Sequence, residues 1–411
     1  MTRAGLALGL ALVAAGIVAR TPGLVLIGLL AVFAVSVTEL WSRYGLRDLR
    51  YLRSIGRNRA VWGDEVPLDI AVWNDKPLPL AWLSIDDYAT QGAVVLEEPL
   101  ARSERPGFTI LRSRWTVGWY ERIVRHLTIV ADHRGVYSFG PVRMTVADLF
   151  GHGAATQEHQ DRGSYIVRPR SLPVHLASQQ HAPAGYLRAR HSLFEDPALF
   201  AGVRPYQPGD PMRRVHWRAT ARTGATVSKR FDPSRALEVL VALDVQTLPG
   251  PHWTLQFDEE LVESLMVAAA SLARAALAEG ASCGLAAAAF SRTLDRFAVV
   301  APRAGRDQLA SITDMLARLS ETPSAPFEHL LARLPQTVSP GTTVLVLTAR
   351  DPEPYIAALA RLDRSGCHVQ LVGLGPNGDR AVARARAVGL AATTGSLTPD
   401  WRTSDALVLA S

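Results

Sequence analysis

Two apolar stretches open the chain and limit what it can become. They span residues 5–19 and 24–37, and the second continues to Trp41 with a single acidic residue. Residues 20–23 between them read Arg-Thr-Pro-Gly, a combination typical of turns. Because about 20 apolar residues in a helix cross the hydrocarbon core of a bilayer, we predict two transmembrane helices over residues 1–41. A cleaved signal peptide is the alternative for the first stretch.

The segment that follows, residues 42–60, is predicted to be a basic juxtamembrane segment. Its arginines are Arg43, Arg47, Arg50, Arg53, Arg57 and Arg59. The connector between the apolar stretches holds only Arg20. Since positively charged flanks stay on the cytoplasmic side, we expect a multi-pass protein of the inner (plasma) membrane whose soluble domains are cytoplasmic. Anionic lipid headgroups account for these arginines, so membrane lipid is an expected partner.

Composition excludes several classes of protein. The 411 residues are 48% hydrophobic and 20% charged, which is typical of a globular chain. Cys283 and Cys367 are too few and too far apart for a disulfide framework or a zinc knuckle, which favours a reducing compartment. Neither Lys76 nor Lys229 follows a glycine-rich loop, so no P-loop is present. The net charge of +6 suggests nucleic acid, but the juxtamembrane arginines explain much of it, and we expect no nucleic-acid partner.

The soluble part changes pattern twice. Residues 61–150 read as short alternating strands separated by turn residues, which predicts an all-β sandwich-like domain. The tryptophans expected in its core and at its rim are Trp62, Trp73, Trp82, Trp115 and Trp119. Residues 236–411 alternate apolar strands with amphipathic helices, which predicts a doubly wound α/β domain with a parallel sheet. Residues 151–235 form the segment that links the two.

The linking segment carries the most specific pattern in the chain. Gln207 to Asp210 match a type II turn, and Asp210 followed by Pro211 is a favoured start for a helix. We predict that this helix runs to about Arg222 and stops at Gly224. Three of its arginines recur every four residues: Arg214, Arg218 and Arg222. Like charges at that spacing repel, so we expect carboxylates or an anion to meet them.

This segment resembles the bacterial domain of unknown function 58 family through the run R-x-Y-x-x-G-D-x-x-R-x-x-H-W-x-x-T-A-R. The matching residues are Arg204, Tyr206, Gly209, Asp210, Arg213, His216, Trp217, Thr220, Ala221 and Arg222. The membrane hairpin, the β-rich middle and a von Willebrand factor A-like carboxyl domain agree with that family. The resemblance implies a membrane-bound partner of a MoxR-type AAA+ ATPase, encoded with a transglutaminase-like membrane protein. It implies no chemical activity.

We predict that the signature residues, with Arg214 and Arg218, form one of two structures. The first is a partner interface, because arginine and tryptophan often anchor interfaces. The second is an intramolecular clasp onto the α/β domain. The acids available for the clasp are Glu195, Asp196 and Asp232. His216 is expected to be a structural, hydrogen-bonded histidine rather than a catalytic one.

The von Willebrand factor A resemblance implies a metal-ion-dependent adhesion site with the pattern D-x-S-x-S, a threonine and a later aspartate. Asp244 matches the first aspartate, but Gln246 and Leu248 stand where serines belong. Asp351 falls where the later aspartate is expected. Because Mg²⁺ prefers oxygen ligands, these carboxylates could hold it weakly, and a remnant acid at a strand end is the alternative. No other cofactor is expected.

Together these observations favour a non-enzymatic, membrane-anchored scaffold or adaptor. It would work with a MoxR-type AAA+ ATPase in the assembly or remodelling of envelope or protein complexes. A metal-dependent, adhesion-type ligand-binding protein is the alternative. A hydrolytic enzyme is less favoured, because the sequence names no nucleophile with a matching base and hence no catalytic residue.

Overall fold

The computed structural model describes residues 2–147, 154–177, 200–206, 215–231, 238–251, 253, 257–291 and 296–410. The chain divides into two compact units, Met1–Arg168 and Pro169–Ser411. Each unit has its own hydrophobic core.

The first unit opens with a helical hairpin, α1 (Thr2–Val18) and α2 (Pro22–Tyr44). Arg20 takes a left-handed φ of 52°, and the Thr21 amide donates to the Gly16 carbonyl at 2.9 Å, so the predicted turn is present. Pro22 follows at the first turn of α2, where its missing N–H costs nothing. The span Pro22–Trp41 is long and apolar enough to cross a membrane, with a mean hydropathy of 2.3. The apolar part of α1 is shorter.

The two helices approach each other closely at glycines. A Cβ atom would come within 2.8 Å of the facing helix at each of three positions: Gly9, Gly16 and Gly28. The facing residues are Val32, Val25 and Val13. Any side chain larger than hydrogen at these positions would push the helices apart, which is the usual role of small residues in packed membrane helices.

Strands β1 to β11 build the rest of the first unit. Their bounds are β1 Leu49–Ile55, β2 Arg59–Val61, β3 Glu65–Asn74, β4 Leu80–Thr90, β5 Val94–Val95, β6 Ala101–Arg102, β7 Phe108–Val117, β8 Arg122–Val130, β9 Gly135–Ala147, β10 Ala154–His159 and β11 Gly163–Arg168. One sheet has the order β1-β3-β8-β5, and the other has the order β2-β11-β9-β4-β7-β6 with β10 on β9. Inward-facing residues of both sheets, such as Leu68 and Ile85, share one core, so the expected β-rich region is present.

The sandwich extends beyond the predicted boundary at residue 150. Strand β10 pairs antiparallel with β9, while β11 pairs with both β9 and β2. Tyr165 on β11 is fully buried and stacks on Tyr137, with 5.3 Å between ring centroids. The sequence of β10, AATQEH, has too little apolar alternation to predict a strand, so residues 154–168 read as part of the linking segment in the sequence.

The predicted juxtamembrane segment is also partly sandwich, because residues 49–55 and 59–61 are β1 and β2. Arg53 therefore does not face lipid headgroups as expected. Its side chain is 1% exposed and donates from Nη1 to both carboxylate oxygens of Asp87 at 2.7 Å. The Tyr51 hydroxyl donates to the same carboxylate at 2.8 Å. Removing one partner of such a buried ion pair leaves the charge of the other in the core without a counter-charge.

The second unit contains strands β12 to β23 and helices α3 to α8. The strands are β12 Val174–Leu176, β13 Phe200–Pro205, β14 Val227–Phe231, β15 Glu238–Leu243, β16 Ser282–Ala287, β17 Ala289–Ser291, β18 Ala298–Arg303, β19 Leu319–Pro323, β20 Thr343–Thr348, β21 His368–Leu374, β22 Ala391–Leu397 and β23 Leu407–Ala410. The helices are α3 Trp217–Thr223, α4 Glu259–Ala278, α5 Arg306–Arg318, α6 Phe327–Arg333, α7 Ile356–Arg364 and α8 Gly378–Ala387.

Eight of these strands form one sheet with the order β12-β23-β22-β21-β20-β15-β16-β18. The five strands from β22 to β16 in that order run parallel, but β18 is antiparallel to β16 and β23 is antiparallel to β22. The sheet is therefore mixed, not purely parallel as predicted. Along β18, buried and more exposed residues alternate, which is common for an antiparallel edge strand.

Helices cover both faces of this sheet. Leu265 of α4 and Ile312 of α5 pack on one face. Phe327 of α6, Leu359 of α7 and Ala381 of α8 pack on the other. The helix α4 is apolar enough to resemble a membrane span, but most of it is buried in this core. The second unit is thus a mixed α/β layer structure.

Candidate functional site: the signature hairpin and the sheet crevice

The signature segment forms a β-hairpin that carries a short helix. Strands β13 and β14 pair antiparallel, with Arg204 opposite Ser228. The Tyr206 amide donates to the Thr226 carbonyl at 2.9 Å and continues the hairpin beyond β13. Helix α3 lies in the chain just before β14. Backbone hydrogen bonds between β13 and β14 therefore join the two strands that lie on either side of α3 in the chain.

Helix α3 begins at Trp217, later than the predicted start at Pro211. Val215 is paired with Ser228 in an antiparallel bridge, so it cannot belong to the helix. His216 is the N-cap, and its Nδ1 accepts a hydrogen bond from the Ala219 amide at 3.0 Å. His216 is thus hydrogen-bonded, as expected, and the bond supplies one of the partners that the first turn of a helix lacks. A structural rather than catalytic role stays a prediction.

The end of α3 agrees with the sequence. Gly224 adopts a left-handed φ of 71°, and its amide donates to the Thr220 carbonyl at 3.0 Å. The Thr220 hydroxyl accepts a hydrogen bond from the Val227 amide at 3.1 Å, which ties α3 to β14. The threonine of the signature thus has a structural role.

The outer surface of α3 is exposed. Trp217 is 61% exposed, and both Arg218 and Arg222 face solvent. Among the residues that the structure describes, no carboxylate pairs with either arginine. The two arginines lie four positions apart, so their charges repel along the helix. This exposed face of Trp217, Arg218 and Arg222 is called the α3 face below.

Several predicted positions lie outside the described residues. They are the signature residues Gly209, Asp210 and Arg213, the neighbouring Arg214, and the proposed clasp acids Glu195, Asp196 and Asp232. Arg204 lies on β13, and Tyr206 is half-buried. Among the described residues, those of the α3 face therefore bear on the choice between an intramolecular clasp and a partner interface.

A second candidate region lies at the carboxyl ends of the central strands. From β15 the chain continues to its neighbour β16, whereas from β20 it continues to β21 on the opposite side. Ligand crevices in open α/β sheets form where the strand order reverses in this way. Asp244 directly follows β15, and Thr348 ends β20. We call this region the β15–β20 crevice.

Asp244 is 2% exposed and fully engaged within the chain. Arg350 Nε donates to Asp244 Oδ2 at 2.8 Å, and the Thr348 hydroxyl donates to the same oxygen at 3.3 Å. The amide of Gln246 donates to Oδ1 at 3.2 Å. The Tyr355 hydroxyl donates in turn to Thr348 Oγ1 at 2.9 Å. The carboxylate therefore has a cation and hydrogen-bond donors on both oxygens.

Electrostatics favour the ion pair in the crevice. Burial opposes the charge of Arg350, but the nearby Asp244 carboxylate and its hydrogen bond raise the pKa of Arg350 overall. Burial, reinforced by Asp244, raises the pKa of Tyr355 well above its ordinary value, so its hydroxyl stays a donor. The Arg350 guanidinium also lies 5.2 Å from the centroid of the Tyr355 ring. The sequence alone does not single out Arg350, because its partner Asp244 lies 106 positions away.

Asp351 has different partners from Asp244. Arg380 Nε lies 2.9 Å and Arg384 Nε lies 2.7 Å from its carboxylate, and both arginines belong to α8. The ion pairs of the two aspartates therefore share no arginine among the described residues. Within the described ranges, no group of three or more histidine, cysteine or acidic side chains is placed to hold a metal ion. Weak Mg²⁺ binding stays a prediction, and the ion would have to displace Arg350 from Asp244.

Comparison with known proteins gives a family match and one distant relative. Residues 202–357, which include the signature hairpin and the crevice, match the family "Protein of unknown function DUF58". The chain is 24% identical over 254 residues to "Uncharacterized protein YeaD" of Bacillus subtilis (strain 168). That match covers 60% of this chain and 58% of the relative, so it spans little more than half of the relative's length.

Solved structures add no fold assignment. The CARDB domain of the PF1109 protein from Pyrococcus furiosus matches with 13% identity and a TM-score of 0.19, covering 29% of this chain and 87% of that one. A β-glucosidase from Listeria innocua matches with 10% identity and a TM-score of 0.19, covering 29% of this chain and 16% of that one. The family match indicates no class of enzyme. Residues 202–357 of this chain are similar to the domain of unknown function 58 family.

Proposed function

We propose that this chain is a non-enzymatic, membrane-anchored scaffold or adaptor that works with a MoxR-type AAA+ ATPase in the assembly or remodelling of envelope or protein complexes. The observation that carries the proposal is the α3 face in the family segment. Tryptophan and arginine are the residue types that most often dominate binding energy in protein interfaces. The resemblance to the family supplies the ATPase as the expected partner, with a transglutaminase-like membrane protein as a possible neighbour in the same complex.

Charge favours a partner with an acidic surface. Arg218 and Arg222 repel each other in the absence of a counter-charge, and a carboxylate between them would relieve that repulsion. Arginine binds carboxylates in a planar, two-pronged arrangement, which adds directional specificity. We therefore expect the partner ATPase to present an acidic surface to the α3 face.

The short helix is held in place before any partner binds. His216 caps its start, Gly224 ends it, and Thr220 ties it to β14. Ordering flexible side chains and loops on binding costs free energy, so a fixed helix lowers that cost. This local order suits a docking element better than a loose linker would.

Membrane anchoring through α1 and α2 completes the proposal. The apolar window of α2 has only 6% of its residues buried, as expected for a helix that lipid surrounds. Five of the six arginines in the predicted juxtamembrane segment are exposed, namely Arg43, Arg47, Arg50, Arg57 and Arg59. Their excess after α2 supports a cytoplasmic location, where ATP is available to the partner.

Charge reversal on α3 tests the proposal. We expect Arg218→Glu with Arg222→Glu to abolish co-purification with the cognate MoxR-type ATPase in detergent, because both attractive charges become repulsive. The matched control is Arg361→Glu with Arg364→Glu, which makes the same charge change on the exposed side of α7. Membrane insertion and thermal stability should be unchanged in both.

Two results would decide against the α3 face. Unchanged co-purification by the folded α3 variant would remove it as the interface. Equal loss in the α7 control would show a general effect of net charge instead. Trp217→Ala tests the same surface without a change of charge and should weaken the complex as well.

A further inference from the structure

One end of the β sandwich carries large exposed aromatic side chains. Trp82 is 59% exposed, while Trp119 and Tyr120 are each 69% exposed. Trp115, by contrast, lies in the core as expected. Exposed apolar side chains that gather in one place mark an interaction surface.

Trp82 lies at the end of the sandwich that joins α2. Trp41, at the end of the apolar window of α2, donates from Nε1 to the Pro79 carbonyl at 3.1 Å. Gly45, just after α2, packs on Val146, which is the register neighbour of Leu83 in the β4–β9 pair. In the same pair Trp82 lies opposite Ala147. The membrane helix and Trp82 are thus at one edge of the sheet.

The turn between β7 and β8 is held at the same end. Asn74 Nδ2 donates to the carbonyls of Leu78 at 2.9 Å and Gly118 at 2.6 Å. The Tyr120 amide donates to the Lys76 carbonyl at 3.2 Å. These bonds fix the turn that carries Trp119 and Tyr120 beside the β3–β4 loop. The last residue of that loop is Pro79, whose carbonyl accepts the hydrogen bond from Trp41.

A bilayer is the surface already present at this end if α2 spans a membrane. Tryptophan and tyrosine concentrate at membrane–water interfaces, where their rings lie among the headgroups. An open cleft of about 310 Å³ beside Trp82 is lined by Trp115 and the exposed Arg114, among others, and offers a basic group to lipid phosphates. Aromatic rings, arginine and a membrane helix therefore meet at one edge.

We propose that Trp82, Trp119 and Tyr120 seat this end of the sandwich in the headgroup region of the bilayer. The inference rests on the membrane anchoring in the proposed function and adds a second, peripheral contact with lipid. The opposite end of the sandwich points away from the membrane, because β4 alone has 11 residues and extends about 36 Å at roughly 3.3 Å per residue.

Depth-dependent quenching of a fluorophore tests the proposal. Three variants of the full chain, each with one added cysteine, are labelled with NBD and reconstituted into vesicles of phosphatidylethanolamine and phosphatidylglycerol: Leu30→Cys, Tyr120→Cys and Glu104→Cys. Leu30 lies on the exposed side of α2, and Glu104 is exposed at the far end of the sandwich. Burial raises the pKa of the Cys283 thiol to about 12, and Cys367 is buried, so neither natural thiol competes for the label.

We expect a headgroup nitroxide lipid to quench the probe at position 120 and not the probe at position 104. A nitroxide in the middle of the acyl chain should quench position 30. If the probes at positions 120 and 104 are both unquenched while the probe at position 30 is quenched, the proposed headgroup contact is refuted and membrane anchoring through α2 is supported. An unquenched position 30 would overturn the anchor itself. A probe at position 120 that is shielded from both lipid nitroxide and aqueous iodide would show that this position contacts protein. That result would also refute the proposed headgroup contact.

Discussion

Replacing Arg350 by methionine leaves the Asp244 carboxylate in the β15–β20 crevice without its cation. Methionine keeps the length of the side chain and removes the charge. Asp244 is 2% exposed, so water cannot replace the lost partner. Breaking a buried pair from one side costs about 3–5 kcal/mol. At 1.36 kcal/mol per factor of ten, the unfolding equilibrium of the second unit should rise by about 150- to 5,000-fold.

Hydrogen–deuterium exchange of the full chain measures this change. Amides of buried central strands exchange only when the surrounding unit opens, so peptides from β15 and β20 report its stability. We expect their exchange to accelerate by roughly two to four orders of magnitude in Arg350→Met, in line with the same pair cost. Strands of the first unit should exchange as in the natural chain and serve as an internal reference.

Two further variants separate charge from packing. Arg384→Met removes one partner of Asp351. Because this ion pair is partly exposed, the variant should lower the free energy of unfolding by no more than about 1 kcal/mol. Arg350→Met with Asp244→Asn removes both charges and keeps an acceptor for the Gln246 amide, so it should recover much of the lost stability. Unchanged exchange of β15 and β20 in Arg350→Met would refute the reasoning, because Asp244 would then not depend on Arg350.

Two smaller predictions concern the metal and the helix cap. We expect at most a small rise in melting temperature with Mg²⁺ in the natural chain, a larger rise in Arg350→Met and none in Asp244→Ala; an equal rise in Asp244→Ala excludes that carboxylate as a ligand. His216→Ala should destabilise α3 by about 1 kcal/mol through loss of its cap, seen as faster exchange of the Ala219 amide, while His216→Asn keeps a capping oxygen. Identical exchange in both His216 variants would mean that the cap contributes nothing.

Periodicity predicted the coarse architecture correctly. The apolar hairpin, the β-rich middle and the alternation of strands and helices were all visible, because burial imposes its period on long segments. The end of α3 at Gly224 was predictable from the sequence, because glycine takes a positive φ without strain and this property depends on the residue itself. These features depend on residues close together in the chain.

Features that depend on distant partners were not visible. Val215 looks helical until its pairing with Ser228 is known, so the sequence predicts too early a start for α3. Arg53 and Arg350 look like surface charges, and only the folded chain shows that each meets a buried aspartate. Strand β10 lacks an apolar pattern and exists because β9 offers it an edge. Pairing across the sequence, not composition, decides such cases.

The interlocked glycines and valines of the first two helices limit what either helix can accept. Gly9 and Gly16 lie seven positions apart, about two helical turns, so they form a notched surface that fits the second helix. A bulky residue at either glycine would therefore tilt one helix away from the other along the whole notch, and not at a single contact.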